Sequence, residues 1–260
     1  MTGTRLDVEV VNRRLLPSRS GARRAIREGR VAVDGLTIVK PAYRVAAGAE
    51  ITLHDDVHIW VSRAGVKLAH ALDRFPVDVA DRSAVDVGAS TGGFTDVLLD
   101  RGATRVVAVD VGRDQLHQSL RAHPRVESRE RLNIRDADPL ELGAPFGVVV
   151  ADLSFISLRV VAGALAALGD SPSDWIVLVK PQFEVGRENV GRTGVVADPG
   201  LRGGAIVDVA REFTEQGLMP VGCVASPIEG GSGNREALLW LRRSGTAMDE
   251  ADLYKVLHDD

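Results

Sequence analysis

Four near-continuous apolar runs constrain this chain more than any other feature: SAVDVG at 83–88, RVVAVDVG at 105–112, FGVVVADL at 146–153 and WIVLVKP at 175–181. A strand that is apolar on both faces must be buried on both, which is the habit of a parallel sheet covered by helices. Stretches of helical character lie between the runs: GFTDVLLDRG, RDQLHQSLRAH, SLRVVAGALAAL and LRGGAIVDVAREFTEQG. Strict alternation of this kind predicts an α/β fold, a doubly wound Rossmann-like sheet. MPVGCVASPI and REALLWLRR add two late strands, read as a hairpin-like pair.

The front of the chain reads differently. RLDVEVVNRRLL (5–16) predicts a helix, and SRSGARRAIREG (18–29) a second, capped by Ser18 and stopped by Gly29. RVAVDGLTIV follows, where Asp34-Gly35 between two apolar runs signals a tight hairpin, and EITLHDD closes the segment as another strand. The expected organisation is a small α+β domain over 1–57, a connection over 58–61 and a large domain over 62–260.

Charge is uneven between these parts. The net charge is −4, yet residues 1–60 carry ten Arg and Lys against seven Asp and Glu. Arg19, Arg23 and Arg27 recur at helical spacing, with Arg24 and Arg30 close by. Repeated like charge on one face costs a few tenths of a kcal/mol per pair. Two readings stay open, a solvated face or a stripe that meets nucleic-acid phosphates. Cys223 is the single cysteine, which excludes a disulfide framework and a cysteine metal cluster. No apolar run approaches the roughly 18 residues that span a bilayer, and no signal-peptide core opens the sequence, so the expected setting is cytoplasmic.

The stretch AVDVGASTGGFTDVLLDRG is strand, glycine-rich turn and helix. Ligands of open α/β sheets bind beyond the carboxyl ends of the strands, where this turn would lie. Gly88, Gly92 and Gly93 allow close backbone approach, and Asp110 ends the next strand where an acid binds a ribose diol. Asp86 sits on the strand just before the turn. A carboxylate there repels a pyrophosphate but suits S-adenosylmethionine, whose sulfonium and ammonium are positive and which lacks phosphate. Asn133 and Asp136, in RLNIRDAD, are candidates for the adenine contact or for plain loop and cap roles.

Four charged residues complete the pattern. Asp152 and Lys180 end two apolar strands and so face one crevice; Glu236 opens the late strand behind the glycine loop EGGSGN; Lys67 lies on the helix leading into the first strand. Charges at such positions are costly unless paired or used. Beside a methyl donor this set could act on a ribose 2′-hydroxyl. Lys180 would take the proton, Asp152 would orient Lys180 near the sulfonium, and Lys67 would pair with Glu236 to position the ribose. No metal is called for.

Taken together these motifs carry a resemblance. RLD, AIREGRVAVDG and KPAYRV in 5–54 resemble the S4 RNA-binding domain, and 60–243 is similar to the FtsJ-like ribose 2′-O-methyltransferases with their Lys-Asp-Lys-Glu tetrad. VSRAGVKL, DVGASTGGFTD, ADLSFIS, VKPQFEVGRENVG and GSGNREALLWL in combination resemble the TlyA family of rRNA methyltransferases, also known as hemolysins. The resemblance implies S-adenosylmethionine-dependent cytidine 2′-O-methylation of 23S rRNA, in a longer subgroup also of 16S, and capreomycin susceptibility. It implies a tetrad of Lys67, Asp152, Lys180 and Glu236. The cofactor residues would be Asp86, Gly88, Ala89, Ser90, Thr91, Gly92, Gly93, Phe94, Asp110, Asn133, Asp136 and Asp152. The rRNA contacts would come from Arg5, Arg19, Arg23, Arg24, Arg27, Arg30, Lys40, Arg63, Arg187 and Arg192. A non-catalytic S4-type binder, a membrane-active hemolysin and an NAD-dependent enzyme are the competing readings.

Overall fold

The computed structural model describes residues 3–16, 19–27, 29–53 and 60–259, without the side chains of Ser20 and Arg24. The chain divides into two compact units, Met1–Ile59 and Trp60–Asp260. Ser18, the expected cap, and residues 58 and 59 of the expected connection lie outside the described residues.

In the first unit β1 (Thr4–Arg5) leads into α1 (Leu6–Asn12), then α2 (Arg19–Arg27), β2 (Val31–Val33), β3 (Leu36–Thr37), β4 (Arg44–Val45) and β5 (Ile51–Leu53). β2 pairs antiparallel with β3 and β5, and β1 with β4. Asp34 and Gly35 make the turn with φ of 50° and 79°, the left-handed pair a two-residue hairpin demands. α1 is shorter than the helix expected over 5–16. Arg14 swings to φ 58°, and the Leu15 N–H donates to the Val10 carbonyl, which closes the helix early. Leu6, Val10, Ala22, Ile26, Val31, Val45 and Ile51 form this unit's own core.

The second unit runs α3 (Ala64–Arg74), β6 (Ser83–Val87), α4 (Gly93–Asp100), β7 (Arg105–Asp110), α5 (Gln118–Arg121), β8 (Val126–Glu130), α6 (Pro139–Leu142), β9 (Val148–Ala151), α7 (Leu158–Ala166), β10 (Asp174–Val179), α8 (Pro181–Glu184), α9 (Pro199–Glu215), β11 (Met219–Ala225), β12 (Ala237–Arg242) and α10 (Glu250–His258). Its seven strands form one sheet in the order β11-β12-β10-β9-β6-β7-β8. The β8-β7-β6-β9-β10 run is parallel, and β12 lies antiparallel between β10 and β11. Alternate residues of one strand feed two cores. Trp175, Val177 and Val179 meet Ile206, Phe213 and Leu253 on one face, while Ile176 and Leu178 meet Leu68, Val97 and Leu98 on the other. That is why the runs are unbroken in sequence; each such aliphatic side chain contributes roughly 1.5–3 kcal/mol by leaving water.

Two elements of this second unit depart from expectation. β8 escaped notice because VESRE is polar and only half buried, as suits the sheet edge it occupies. The helix expected over 113–123 shrinks to α5, since Asp114 at φ 54° leaves helical space and His117 caps a later start.

Candidate active site

Chain order reverses between β6 and β9: β7 and β8 build outward on one side, β10 on the other. The carboxyl ends of β6 and β9 therefore flank a crevice. It opens into a cavity of about 490 Å³, bounded by Gly88, Ser90, Asp110, Gln115, Asn133, Asp152 and Phe155 over an apolar floor that includes Val87, Ile134 and Ile156. That volume is in the range of small-molecule sites.

The glycine turn forms one wall. At Gly88, φ is 85°, and a Cβ would stand 2.5 Å from the Asp152 carbonyl oxygen, so only glycine lets the two strand ends close up. Ser90 N–H donates to Asp110 Oδ2 at 2.8 Å and Gly112 N–H to Oδ1 at 2.6 Å. Asp110 thus pins the turn, and each oxygen keeps a lone pair for a ligand. Behind the turn, a Cβ on Gly93 would lie 2.3 Å from Ser62 Oγ, and one on Gly65 would lie 3.1 Å from the Gly93 carbonyl. α3, the helix that carries Lys67, is seated on this turn.

Not every expected cofactor residue reaches the cavity. Ala89 is buried behind the turn, Phe94 is packed with Val97 and Leu98, and Gly92 caps α4 at φ 97°. Thr91 is exposed, and its carbonyl accepts from His117 N–H at 3.1 Å. These residues shape the wall from behind. Asp136 is not among the residues that line the cavity. A short 3-10 turn, Ile134–Asp136, points Ile134 inward and leaves Asp136 exposed, while Asn133 both lines the cavity and caps the turn through Arg135 N–H at 3.1 Å.

Asp86 is wholly buried one layer deeper. Thr95 Oγ1 donates to its Oδ2 at 2.6 Å, while Oδ1 has no partner. Burial pushes its carboxyl up to about 7; the Thr95 hydrogen bond opposes this, and the charge of Asp152 adds to it. Among the described residues no arginine, lysine or histidine lines the cavity. A pyrophosphate would find no cation there, whereas a positively charged ligand would find Asp110 and Asp152 with the orphaned Asp86 oxygen behind them.

Beside the cavity stand two lysine–carboxylate pairs. Lys180 Nζ lies 2.5 Å from Asp152 Oδ1 and 2.9 Å from Ser154 Oγ. Lys67 Nζ donates to Glu236 Oε2, with both side chains buried. The antiparallel placement of β12 joins the pairs. Val179 is in register with Ala237, so the next residues, Lys180 and Glu236, meet at the carboxyl edge of the sheet. Gln182 Nε2 reaches to 3.5 Å from Glu236 Oε1. Two cations against two anions leave the group near neutrality, which makes its burial tolerable. An arrangement of this kind can orient a hydroxyl and remove its proton next to an electrophile.

Three neighbours were not singled out from the sequence. Phe155 is 92% exposed at φ 66° on the cavity rim, its ring tilted 5.4 Å from that of Phe183. Ser154 holds Lys180. Buried Glu184 accepts from Ser157 Oγ at 2.5 Å and Leu158 N–H at 2.8 Å, stapling the segment after β10 to the segment after β9. The available signal was DLSFIS, an aromatic and two hydroxyls directly behind a strand-ending acid.

The basic residues are dispersed. Arg5, Arg19 and Arg23 all bond Asp7. Arg27 and Lys40 are exposed, Arg30 is half-buried with its Nε buried, and the Arg24 side chain lies outside the described residues. In the second unit Arg63 donates to the Glu229 carbonyl at 2.9 Å, and Arg187 and Arg192 are exposed on the long segment before α9.

Comparison with known proteins gives the same two parts. Residues 60–243 match the FtsJ-like methyltransferases and residues 4–51 the S4 domain. The 16S/23S rRNA (cytidine-2′-O)-methyltransferase TlyA of Mycobacterium tuberculosis is 50% identical over 98% of this chain and 94% of its own length. Hemolysin A of Brachyspira hyodysenteriae is 36% identical over 90% of this chain and 98% of its own. A hemolysin-type structure from Streptococcus thermophilus superposes with a TM-score of 0.78 at 36% identity, covering 100% of this chain and 96% of that one. No helix among the described residues is long and apolar enough to cross a membrane. With a match along nearly its whole length, an S4 domain at the front and a methyltransferase sheet behind it, this chain belongs to the TlyA family of FtsJ-like methyltransferases.

Proposed function

We propose that this enzyme methylates the 2′-hydroxyl of a cytidine in rRNA, taking the methyl group from S-adenosylmethionine held in the cavity beside Asp110 and Asp152. The observation that carries the reading is the placement of two lysine–carboxylate pairs side by side at the sheet edge, next to a cavity lined by carboxylates and, among the described residues, by no cation. When bound, the cofactor supplies an electrophilic methyl on a positive sulfur. Asp110 and Asn133 would hold its nucleoside end, and the Gly88 backbone would lie alongside its amino-acid end. Asp152, already within 2.5 Å of Lys180, would face the sulfonium and aim Lys180 at the ribose.

Lys67 and Glu236 would fix the 2′-hydroxyl in line with the methyl, and alignment alone supplies much of the rate. Lys180 Nζ would accept the proton that the 2′-hydroxyl loses on taking the methyl group the bound cofactor supplies. Phe155, an exposed ring on the rim, offers a stacking face to an unpaired base. Arg27, Lys40, Arg187 and Arg192 would meet rRNA phosphates, as would Arg5, Arg19 and Arg23.

Transfer of tritium from labelled cofactor to purified 50S and 30S subunits tests the reading. The expected result is label on 23S rRNA, mapped to a cytidine ribose. The 30S arm decides whether 16S is a second substrate, as the name of the mycobacterial relative states for that protein. Absence of label on both subunits would refute the proposal.

The raised carboxyl of Asp86 gives a second test. A bound cation favours the ionised acid, so cofactor binding should expel a proton near neutral pH, and affinity should rise as pH climbs towards about 7 and level off above it. Calorimetry in two buffers of different ionisation enthalpy reads the proton directly, and Asp86→Asn should remove it. In the free protein the sign is opposite. The folded state holds this proton more tightly than the unfolded chain, whose value is 3.8, so stability should fall as pH rises from about 4 to about 7.

A further inference from the structure

Asp7 is 0% exposed on α1, yet three guanidiniums converge on it. Arg5 forks onto both carboxylate oxygens at 2.9 and 3.1 Å, while Arg19 and Arg23, one turn apart on α2, donate their Nε to Oδ2 at 3.2 and 2.9 Å. The three arginine side chains remain between 39% and 50% exposed. One anion against three cations leaves the cluster strongly positive. A mere staple between α1 and α2 would need one arginine, and like charges at i, i+4 would otherwise repel. Asp7 turns that repulsion into a fixed array, and each guanidinium is a planar fork suited to a phosphate.

We propose that Asp7 is the positioning residue of a phosphate clamp, holding Arg5, Arg19 and Arg23 as a preorganised set for the sugar-phosphate backbone of structured RNA. This rests on the reading that the S4 unit docks on rRNA. It places Asp7 behind the contact: a buried acid that raises affinity for a polyanion by ordering the cations in front of it. Backbone phosphates are the ligand this array matches, because guanidinium N–H groups pair with phosphate oxygens and such contacts position a protein on RNA without reading its sequence.

The full-length protein distinguishes this from simple charge attraction. Asp7→Asn makes the cluster more positive, so attraction by net charge alone predicts tighter binding to purified 50S subunits. The clamp predicts the reverse, about tenfold weaker binding with a shallower salt dependence, and an unchanged kcat at saturating subunits. A second variant, Arg5→Lys with Arg19→Lys and Arg23→Lys, keeps every charge on half-exposed side chains but loses the planar forks. It should weaken binding several-fold, and it carries the test alone if Asp7→Asn loses the helices of the unit by circular dichroism. Binding by these variants equal to or tighter than wild type overturns the clamp. Charge reversal, Arg19→Glu with Arg23→Glu, separates the two levels. If reversal abolishes binding while the other variants bind normally, docking stands and the clamp falls. If reversal has no effect, docking through this face falls with it.

Discussion

Lys180→Met should lower methyl transfer to 50S subunits by about 10²–10⁴-fold, the usual worth of a positioned base, while cofactor affinity changes little. Methionine fills the same volume, and Asp152, half-buried on the cavity wall, stays solvated when its partner is gone. Lys180→Arg is the sharper control. It keeps a cation beside Asp152 and Ser154 but cannot accept a proton at neutral pH, so a role as base predicts the same loss. A role in charge balance alone predicts that arginine restores most of the rate. Single-turnover transfer across pH, with cofactor affinity measured separately, reads the difference; near-wild-type turnover by either variant refutes proton removal by Lys180.

Lys67 and Glu236 should lose stability as well as transfer, because neither side chain has water to fall back on. Removing one partner strands a buried charge, which costs about 3–5 kcal/mol. In a unit of this size that lowers Tm by roughly 10 °C. Lys67→Met and Glu236→Leu should each show this loss along with near-complete loss of transfer. The double variant replaces the pair with apolar groups of similar bulk and should recover most of the lost stability. It should not recover transfer. Thermal unfolding and tritium transfer on the same four proteins check both halves, and a double variant that is stable and active would show the pair to be structural only.

These two outcomes differ for a reason the sequence could not supply. Lys180 and Lys67 are the same residue type beside acids of the same kind, yet Lys180 and Asp152 keep 11% and 17% of their side chains exposed and Lys67 and Glu236 only 8% and 2%. Sequence reasoning could pair them, since Asp152 and Lys180 end adjacent apolar strands and the late strand begins at Glu236. It had no means to rank their burial. Asp136 shows the same limit from the other side. Asn133 and Asp136 stand three residues apart in one segment, and only the path of the 3-10 turn Ile134–Asp136 decides that Ile134 is buried and Asp136 exposed. The arginine stripe on α2 is a third instance. Its spacing was visible, but the buried acid that gathers Arg19 and Arg23 comes from a different helix, twelve or more residues away in the chain.

Patterns that depend on near neighbours were determined by the sequence alone. Unbroken apolar runs require a sheet covered on both faces, and Asp34-Gly35 requires a left-handed turn. Each follows from local sterics or from the cost of exposing apolar surface. The tertiary structure alone decided that β12 inserts antiparallel between β10 and β11. Only that insertion brings the start of a strand, Glu236, to the edge where the parallel strands finish and Lys180 waits. Its cause is the sum of long-range packing on both sheet faces, with Leu238 and Trp240 on one side and Leu239 and Leu241 on the other, and no local window of residues contains it.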